Sequence, residues 1–328
     1  MTVLLVSFNQ SAFSMDLEYL GMYQKRQHVI KLSGSIEIGD ATKFDQFIES
    51  ENKKHGGEDS VWYYDFILIL DSPGGNYLEA VDIGKSLQSH HTVATYVDQQ
   101  STCLSACAII WLAGKTHLDP SHYQRWVHPL GVLGFHSAYL NLPEAEYSSN
   151  DILIASQLGS FFAGELIKLS AEWDFPIGLV VETLQTPAND FFYIDTIGKV
   201  FRFGGRIDPR IKMNRNPYKL RDQVTHACIN DLIDYKASDF GRHHRWDTAV
   251  FSKSKTINDG VLFSEGTMFH RVHYAARGEE LVCDLKTQSY SGETYQTVST
   301  SDDYSNIISQ FHLLDPDLNI RKIMDYVD

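Results

Sequence analysis

The chain has 328 residues, enough for two domains or one enlarged one, and its 43% hydrophobic content is ordinary for a soluble globular protein. Its 28 Lys and Arg stand against 42 Asp and Glu, a formal charge of −14 with histidine neutral. That excess repels phosphate backbones and anionic membranes, and no basic stripe offsets it, so a nucleic-acid partner is excluded from the expectations.

The opening stretch, MTVLLVSFNQSAFSMD, has a short apolar run and no Lys or Arg before Lys25. A secretory signal wants a positive start and a longer apolar core, so the stretch reads as a first strand. Location is then cytoplasmic as the sequence is written, and periplasmic or secreted if a signal lies upstream. No run reaches the roughly 18 apolar residues of a membrane span. Four cysteines fall in two groups, Cys103 with Cys107 and Cys228 with Cys283. An even count is compatible with two disulfides without showing them. In a reducing compartment they read as small core residues, and in an oxidising one as bridges. Cys103 and Cys107 have no third or fourth ligand at suitable spacing, so no metal and no cofactor is expected.

Residues 28 to 50 read as strand, turn and helix, punctuated by Gly34 and Gly39, and residues 51 to 60 as a polar surface loop. VWYYDFILIL is a strand whose continuous apolar end suits a parallel sheet buried on both faces. Ser72-Pro73-Gly74-Gly75 then turns the chain into an amphipathic helix, Tyr77 to Ser89, with Leu78, Val81, Ile83 and Leu87 as its apolar set. Paired glycines let a backbone approach a ligand closely and expose its amides. HTVATYV follows as another strand, and the strand–helix–strand alternation predicts an α/β fold with a parallel sheet and crossover helices.

Residues 101 to 114, STCLSACAIIWLAG, pass from small and hydroxyl residues into an apolar helix running from Ala106 to Ala113. Ser105 stands at the junction. It reads either as an ordinary N-cap or as a nucleophile whose neighbouring amides stabilise an oxyanion. In the loop 118 to 131, His122 and His128 read as solvated or structural histidines, and Arg125 alone is no evidence of a site. GVLGFHSAYL then sets His136 in an apolar run, where an imidazole can serve as general base for a serine.

A long helical pattern near 150 to 170 places Ile152, Ala155, Leu158, Phe162, Leu166 and Leu169 on one face. ETLQTPANDFFYI follows. After about Gly205, RIDPRIKMNRNPYK is polar and locally basic and reads as a linker over 206–217. LRDQVTHACINDLIDYK is an amphipathic helix. Alternating runs from Thr248 to Thr300 predict an antiparallel sheet with turns at Asp259-Gly260 and Arg277-Gly278-Glu279. The acidic tail, 301 to 328, ends in a short helix.

Strand–SPGG–helix, then a small-residue serine motif opening an apolar helix, then a strand carrying histidine, resembles the Clp protease proteolytic subunit from about His28 to Gly205. VIKLSGSIEIGDATKFDQFI is similar to that family's first strand, turn and helix. Cys103, Ser105, Ala106 and Cys107, with Gly134, Phe135 and His136, are similar to the motifs of its periplasmic Clp-like branch. The resemblance implies the layered parallel sheet with helices shared by Clp proteases and crotonases over residues 1–205. A small α+β domain with an acidic tail would follow over 218–328.

The resemblance further implies a serine peptidase acting on peptide or protein substrates and assembling as a homo-oligomer through the long helix. Ser105 would be nucleophile, His136 general base and Asp190 the orienting acid, with Asn189 and Asp195 as other holders of the third position. Amides of Gly74, Gly75 and Ala106 would form the oxyanion hole. Cys103 and Cys107 would be dispensable to cleavage. Two other readings stand beside this one. A non-catalytic relative would bind peptides or partners, and a crotonase-type enzyme would act on acyl-coenzyme A, for which no basic cluster suited to the adenosine phosphate is visible.

Overall fold

The computed structural model describes residues 14–23, 27–55, 65–89, 92–116, 124–139, 146–238, 256–264, 267–276, 279–290, 293–300 and 305–327. The expected strand before residue 14, and His122, lie outside these segments.

In chain order, β1 (Asp16–Tyr23) and β2 (Gln27–Ser33) are followed by α1 (Asp40–His55), β3 (Asp65–Asp71), α2 (Tyr77–Ser89) and β4 (Thr92–Val97). The serine motif supplies β5 (Thr102–Leu104) and α3 (Ala106–Trp111), and short strands β6 (Lys115–Thr116), β7 (Arg125–Val127) and β8 (Val132–Phe135) come next. Then follow α4 (Ser149–Glu172), α5 (Ile177–Gln185), β9 (Phe192–Tyr193), α6 (Ile197–Arg202), β10 (Arg206–Ile207) and α7 (Leu220–Ser238). The fold is mixed α/β with a mostly parallel sheet. Its order is β1-β2-β3-β4-β7-β10, with β2, β3, β4, β7 and β10 parallel, β1 antiparallel at one edge, and β6 antiparallel to β4. A smaller sheet, β5-β8-β9, carries the serine and histidine motifs and meets the large sheet at the Ser72–Cys103 bridge.

Ile30, Leu32, Phe66, Leu68 and Leu70 point to one face of the sheet and are buried in the core. Ile67 and Ile69 are only half-buried, so β3 alternates despite its unbroken apolar run. The second face is incompletely covered there and carries the Lys31–Asp71 ion pair, 2.9 Å. Helix α1 runs five residues into the stretch expected to be loop. Its polar last turns carry Lys53–Glu49 and His55–Glu51 pairs at i,i+4 spacing, which support a helix without apolar burial.

The antiparallel sheet is present as β11 (Thr256–Ser264), β12 (Thr267–Ala276), β13 (Glu279–Tyr290), β14 (Glu293–Thr300) and β15 (Ser305–Ile308), in sequential order. The hairpin expected at Arg277-Gly278-Glu279 closes with Ala276 opposite Glu279. The turn expected at Asp259-Gly260 is not there: both residues lie within β11, beside a register shift, and that hairpin closes between Ser264 and Thr267. A glycine inside a strand marks a bulge as readily as a turn. All four cysteines are paired, Cys103 with Cys107 and Cys228 with Cys283, the second tying α7 to β13.

Two stretches thought peripheral are built into the core. Residues 206–217 do not form a free linker: Ile207 extends the parallel sheet, Asp208 is buried, and Met213 and Asn214 bond to Gln310 and Tyr326. The tail folds back onto α6. Ile197 N–H donates to Leu318, Gly198 N–H to Pro316 and Ile320 N–H to Asp195, while Asn230 on α7 holds the carbonyls of His312 and Leu314. Short 3₁₀ turns at Gln310–Leu313 and Ile320–Tyr326 bury Phe311, Leu313, Ile320 and Ile323 against this unit.

Burial, with nearby His55 assisting at His28, lowers the pKa of His28, His128 and His226. The unfolded chain then takes up more protons than the folded one. Stability from this source is full above the unfolded value of about 6.5 and is lost as pH falls toward the folded values. The melting temperature is expected to fall between pH 7 and pH 5, and calorimetry at constant ionic strength measures it.

Candidate functional site around Ser105 and His136

Ser105 leaves β5 in a conformation that non-glycine residues avoid, φ 56° and ψ −124°. Such backbone strain costs about 1–3 kcal/mol and persists where the surroundings over-determine it. Leu104 N–H donates to Ser72 carbonyl at 3.1 Å and Ser105 N–H to Gly134 carbonyl at 3.0 Å, fixing the serine between the SPGG turn and β8. The N-cap reading does not hold, because the Ser105 hydroxyl accepts no bond from the first turn of α3.

The SPGG turn is clamped to the main chain of Ile36. Ile36 N–H donates to Gly74 carbonyl at 2.9 Å, and Asn76 N–H to Ile36 carbonyl at 2.7 Å. Gly74 (φ 102°) and Gly75 (φ 140°) both need the left-handed half of backbone space. Steric room also demands glycine. A Cβ on Gly74 would lie 2.7 Å from the Ser105 Cβ, and one on Gly75 would lie 2.2 Å from the Ile36 carbonyl oxygen. The amides differ in use. Gly74 N–H donates to Ser72 Oγ at 3.1 Å, which removes it from the donors expected to face a ligand. Gly75 N–H and Ala106 N–H have no acceptor among the described residues.

His136 follows β8 and is buried, 8% exposed. Its Nδ1 lies 2.8 Å from the Ser137 carbonyl oxygen. A carbonyl only accepts, so Nδ1 is the donor in this bond, and in the neutral ring that leaves Nε2 as the acceptor. Phe191 packs edge-on to the ring, centroids 4.9 Å apart and planes at 83°, and Tyr139 lies at 5.6 Å. Ser105, His136, Gly75 and Ala106 line one cavity of about 450 Å³. Its other walls are mostly apolar and aromatic, among them Tyr77, Ile109, Phe162, Leu166 and Phe191, with Asn76 and Thr183 as polar exceptions. Ser105, His136 and two residues whose amides have no acceptor among the described residues thus border a shared space. That equipment suits nucleophilic attack on a carbonyl.

The three candidate third residues do not reach the imidazole. Asp190 is exposed and its Oδ1 accepts from Phe191 N–H at 2.7 Å. Asn189 is exposed, and Asp195 pairs with Lys199 at 2.7 Å. The Ser137 carbonyl stands where an acid was expected. Sequence reasoning missed it because every residue carries a carbonyl. Asp190 came within one position of Phe191, which does touch the ring.

Arg125 is fully buried and donates to the Trp173 carbonyl at 2.6 Å, tying the end of α4 to β7. His128 is buried, its Nδ1 accepting from Leu130 N–H. Behind the serine motif, Tyr96 Oη is within hydrogen-bonding distance of Asp98 and Asp208, and Arg210 grips Asp208 with Nε and Nη2 at 2.8–3.0 Å. Burial pushes the Asp208 carboxyl up, but the bonds from Arg210 and Tyr96 outweigh it and hold the pKa below the ordinary value. Asp98 in turn anchors the turn into β5, its carbonyl accepting from Ser101 N–H.

Helix α4 forms one cavity wall. Its C-terminal part buries Leu166 and Leu169, as the expected apolar face requires, but its first half does not follow that face. Ile152 is 63% exposed and Phe161 50%, and Leu153, Ile154 and Leu158 are also exposed. By length and composition alone this helix is long and apolar enough to cross a membrane, although no unbroken run of 18 apolar residues lies within it. Among the described residues no group of three His, Cys, Asp or Glu side chains is placed to hold a metal ion. No protein-family model matches the chain, and no curated protein matches its sequence.

Replacing Gly75 by Ala drives a Cβ into Ile36 and strains φ. A loss of about 1–3 kcal/mol in unfolding free energy is expected, read from the urea midpoint.

Proposed function

We propose that the protein is a serine peptidase built on a Clp protease-like fold, with Ser105 as nucleophile and His136 as general base. The observation that carries this reading is the single cavity lined by Ser105, His136, Gly75 and Ala106, the last two with amides that find no acceptor among the described residues. In this mechanism Nε2 takes the Ser105 proton as Oγ attacks the scissile carbonyl. The oxyanion accepts from Gly75 N–H and Ala106 N–H. His136 then protonates the leaving amine, and water resolves the acyl-enzyme by the same steps. A hole donor of this kind contributes about 3 kcal/mol to transition-state stabilisation.

The Ser137 carbonyl takes the orienting part that Asp190 was expected to play, supplying a dipole rather than a full charge. The aromatic and aliphatic walls suit a peptide with a bulky apolar side chain next to the scissile bond. The exposed apolar half of α4 would pack against another copy of the chain in a homo-oligomer. One observation favours the peptide-binding alternative: the Ser105 hydroxyl makes no hydrogen bond to His136. Catalytic hydrogen bonds commonly tighten only when substrate is bound, so the peptidase reading is preferred.

A fluorophosphonate probe should label wild-type protein at Ser105, and Ser105→Ala and His136→Ala should each abolish labelling and cleavage of an apolar peptide. Asp190→Asn should leave kcat essentially unchanged, against the about 10⁴-fold loss expected of an orienting acid. Absence of labelling with retained peptide affinity would select the binding alternative. Light scattering should show an oligomer, and Phe161→Glu combined with Leu158→Glu should shift it toward monomer.

A further inference from the structure

The strained turn at Ser105 is spanned from outside by hydrogen bonds and from within by a covalent link. Cys103 lies in the middle of β5 and Cys107 in the first turn of α3, and they are disulfide-bonded with Cα atoms 5.2 Å apart. An extended chain would place the first and fifth Cα atoms about 13 Å apart, and a regular helix about 6 Å. The bridge therefore closes a five-residue loop with Ser105 at its centre. Relaxing Ser105 toward an ordinary β conformation would swing the end of β5 away from the start of α3, and the bridge forbids that. The bonds donated by Leu104 and Ser105 N–H fix the strand side of the turn, and on the helix side the Ser105 carbonyl accepts one bond, from Ala108 N–H at 3.0 Å. The sulfurs add the covalent link between the two sides. Both cysteines are fully buried, which suits a permanent brace rather than a solvent-exposed redox switch.

We propose that the Cys103–Cys107 disulfide is a positioning device for Ser105, holding its hydroxyl in the attacking conformation beside the Gly75 and Ala106 amides. This rests on the serine-peptidase reading and reverses the expectation that the two cysteines are dispensable. The Cys228–Cys283 bridge, between α7 and β13, lies outside the cavity wall and supplies the control.

The test compares full-length oxidised wild type, the double variant Cys103→Ala with Cys107→Ala, and the double variant Cys228→Ala with Cys283→Ala. Fluorophosphonate labelling rate, kcat, KM for an apolar peptide, and Tm are measured on each. Loss of the Ser105 brace should slow labelling by about 10²-fold and lower kcat to match with KM held, since a small misplacement of a reacting atom costs that much. The control should lose Tm and keep its labelling rate, separating a local effect from general destabilisation. Should the Ser105-bracket variant not fold, wild type is treated with an excess dithiol. The dithiol reduces the bridge to two protein thiols and itself closes to a cyclic disulfide. Labelling should fall in step with thiols mapped to Cys103 and Cys107, and return on exchange with a small-molecule disulfide. Labelling at the wild-type rate with that bridge absent or open overturns the proposal while leaving the serine assignment intact. Wild type that neither labels nor cleaves overturns the peptidase reading, and the proposal with it.

Discussion

The site depends on a close approach of two backbones that no side chain beyond hydrogen would permit. Gly74 sits against Ser105 and Gly75 against Ile36, each where a Cβ would overlap a neighbour. Because β2, β3 and β4 run parallel, their carboxyl ends collect on one edge of the sheet, and the SPGG turn leaves β3 at that edge. The small sheet β5-β8-β9 docks there through the Ser72–Cys103 bridge. The serine, the histidine and the exposed amides therefore come from three separate segments. They meet because the turn is thin enough to let them.

The supporting layer is polar and reaches from the interior to the surface. Buried Asp208 and Tyr96, half-buried Asp98 and exposed Arg210 form one hydrogen-bonded cluster, in which the Arg210 guanidinium offsets the Asp208 charge. Removing one member of such a cluster typically costs more than the whole cluster contributes, because it strands the others in a poorly solvated position. Arg125 plays the same kind of part for α4, closing the carbonyl end of that helix against β7 and holding the far wall of the cavity in place.

The alternation of strands and helices, the SPGG turn, Ser105 and His136 were legible because each depends on side-chain chemistry or on glycine, which sequence displays directly. What was not legible rests on groups that every residue carries or on contacts distant in the chain. The acceptor at His136 Nδ1 is a main-chain carbonyl. The extension of α1 came from ion pairs in a stretch whose polarity looked like a loop. Asp208 and Arg210 make residues 206–217 look solvent-borne in composition, yet Asp208 is buried and takes its counter-charge from Arg210 at the surface. Cysteine pairing depended on Cα positions that spacing alone does not set. The exposed first half of α4 was invisible to periodicity, which reports a helix's apolar content but not what lies beside it.

The return of residues 310–327 onto α6 has a bearing on how the protein is made. The flank of α6 that receives Pro316 and Leu318 belongs to the α/β unit, yet its cover is encoded after the whole antiparallel sheet. During synthesis from the N-terminus, the segments bearing Ser105 and His136 leave the ribosome first and must wait, with that flank bare, while the later sheet emerges. The antiparallel sheet is thus an insertion within the packing of the first unit. Completion of the α/β unit is coupled to translation of residues 310–327.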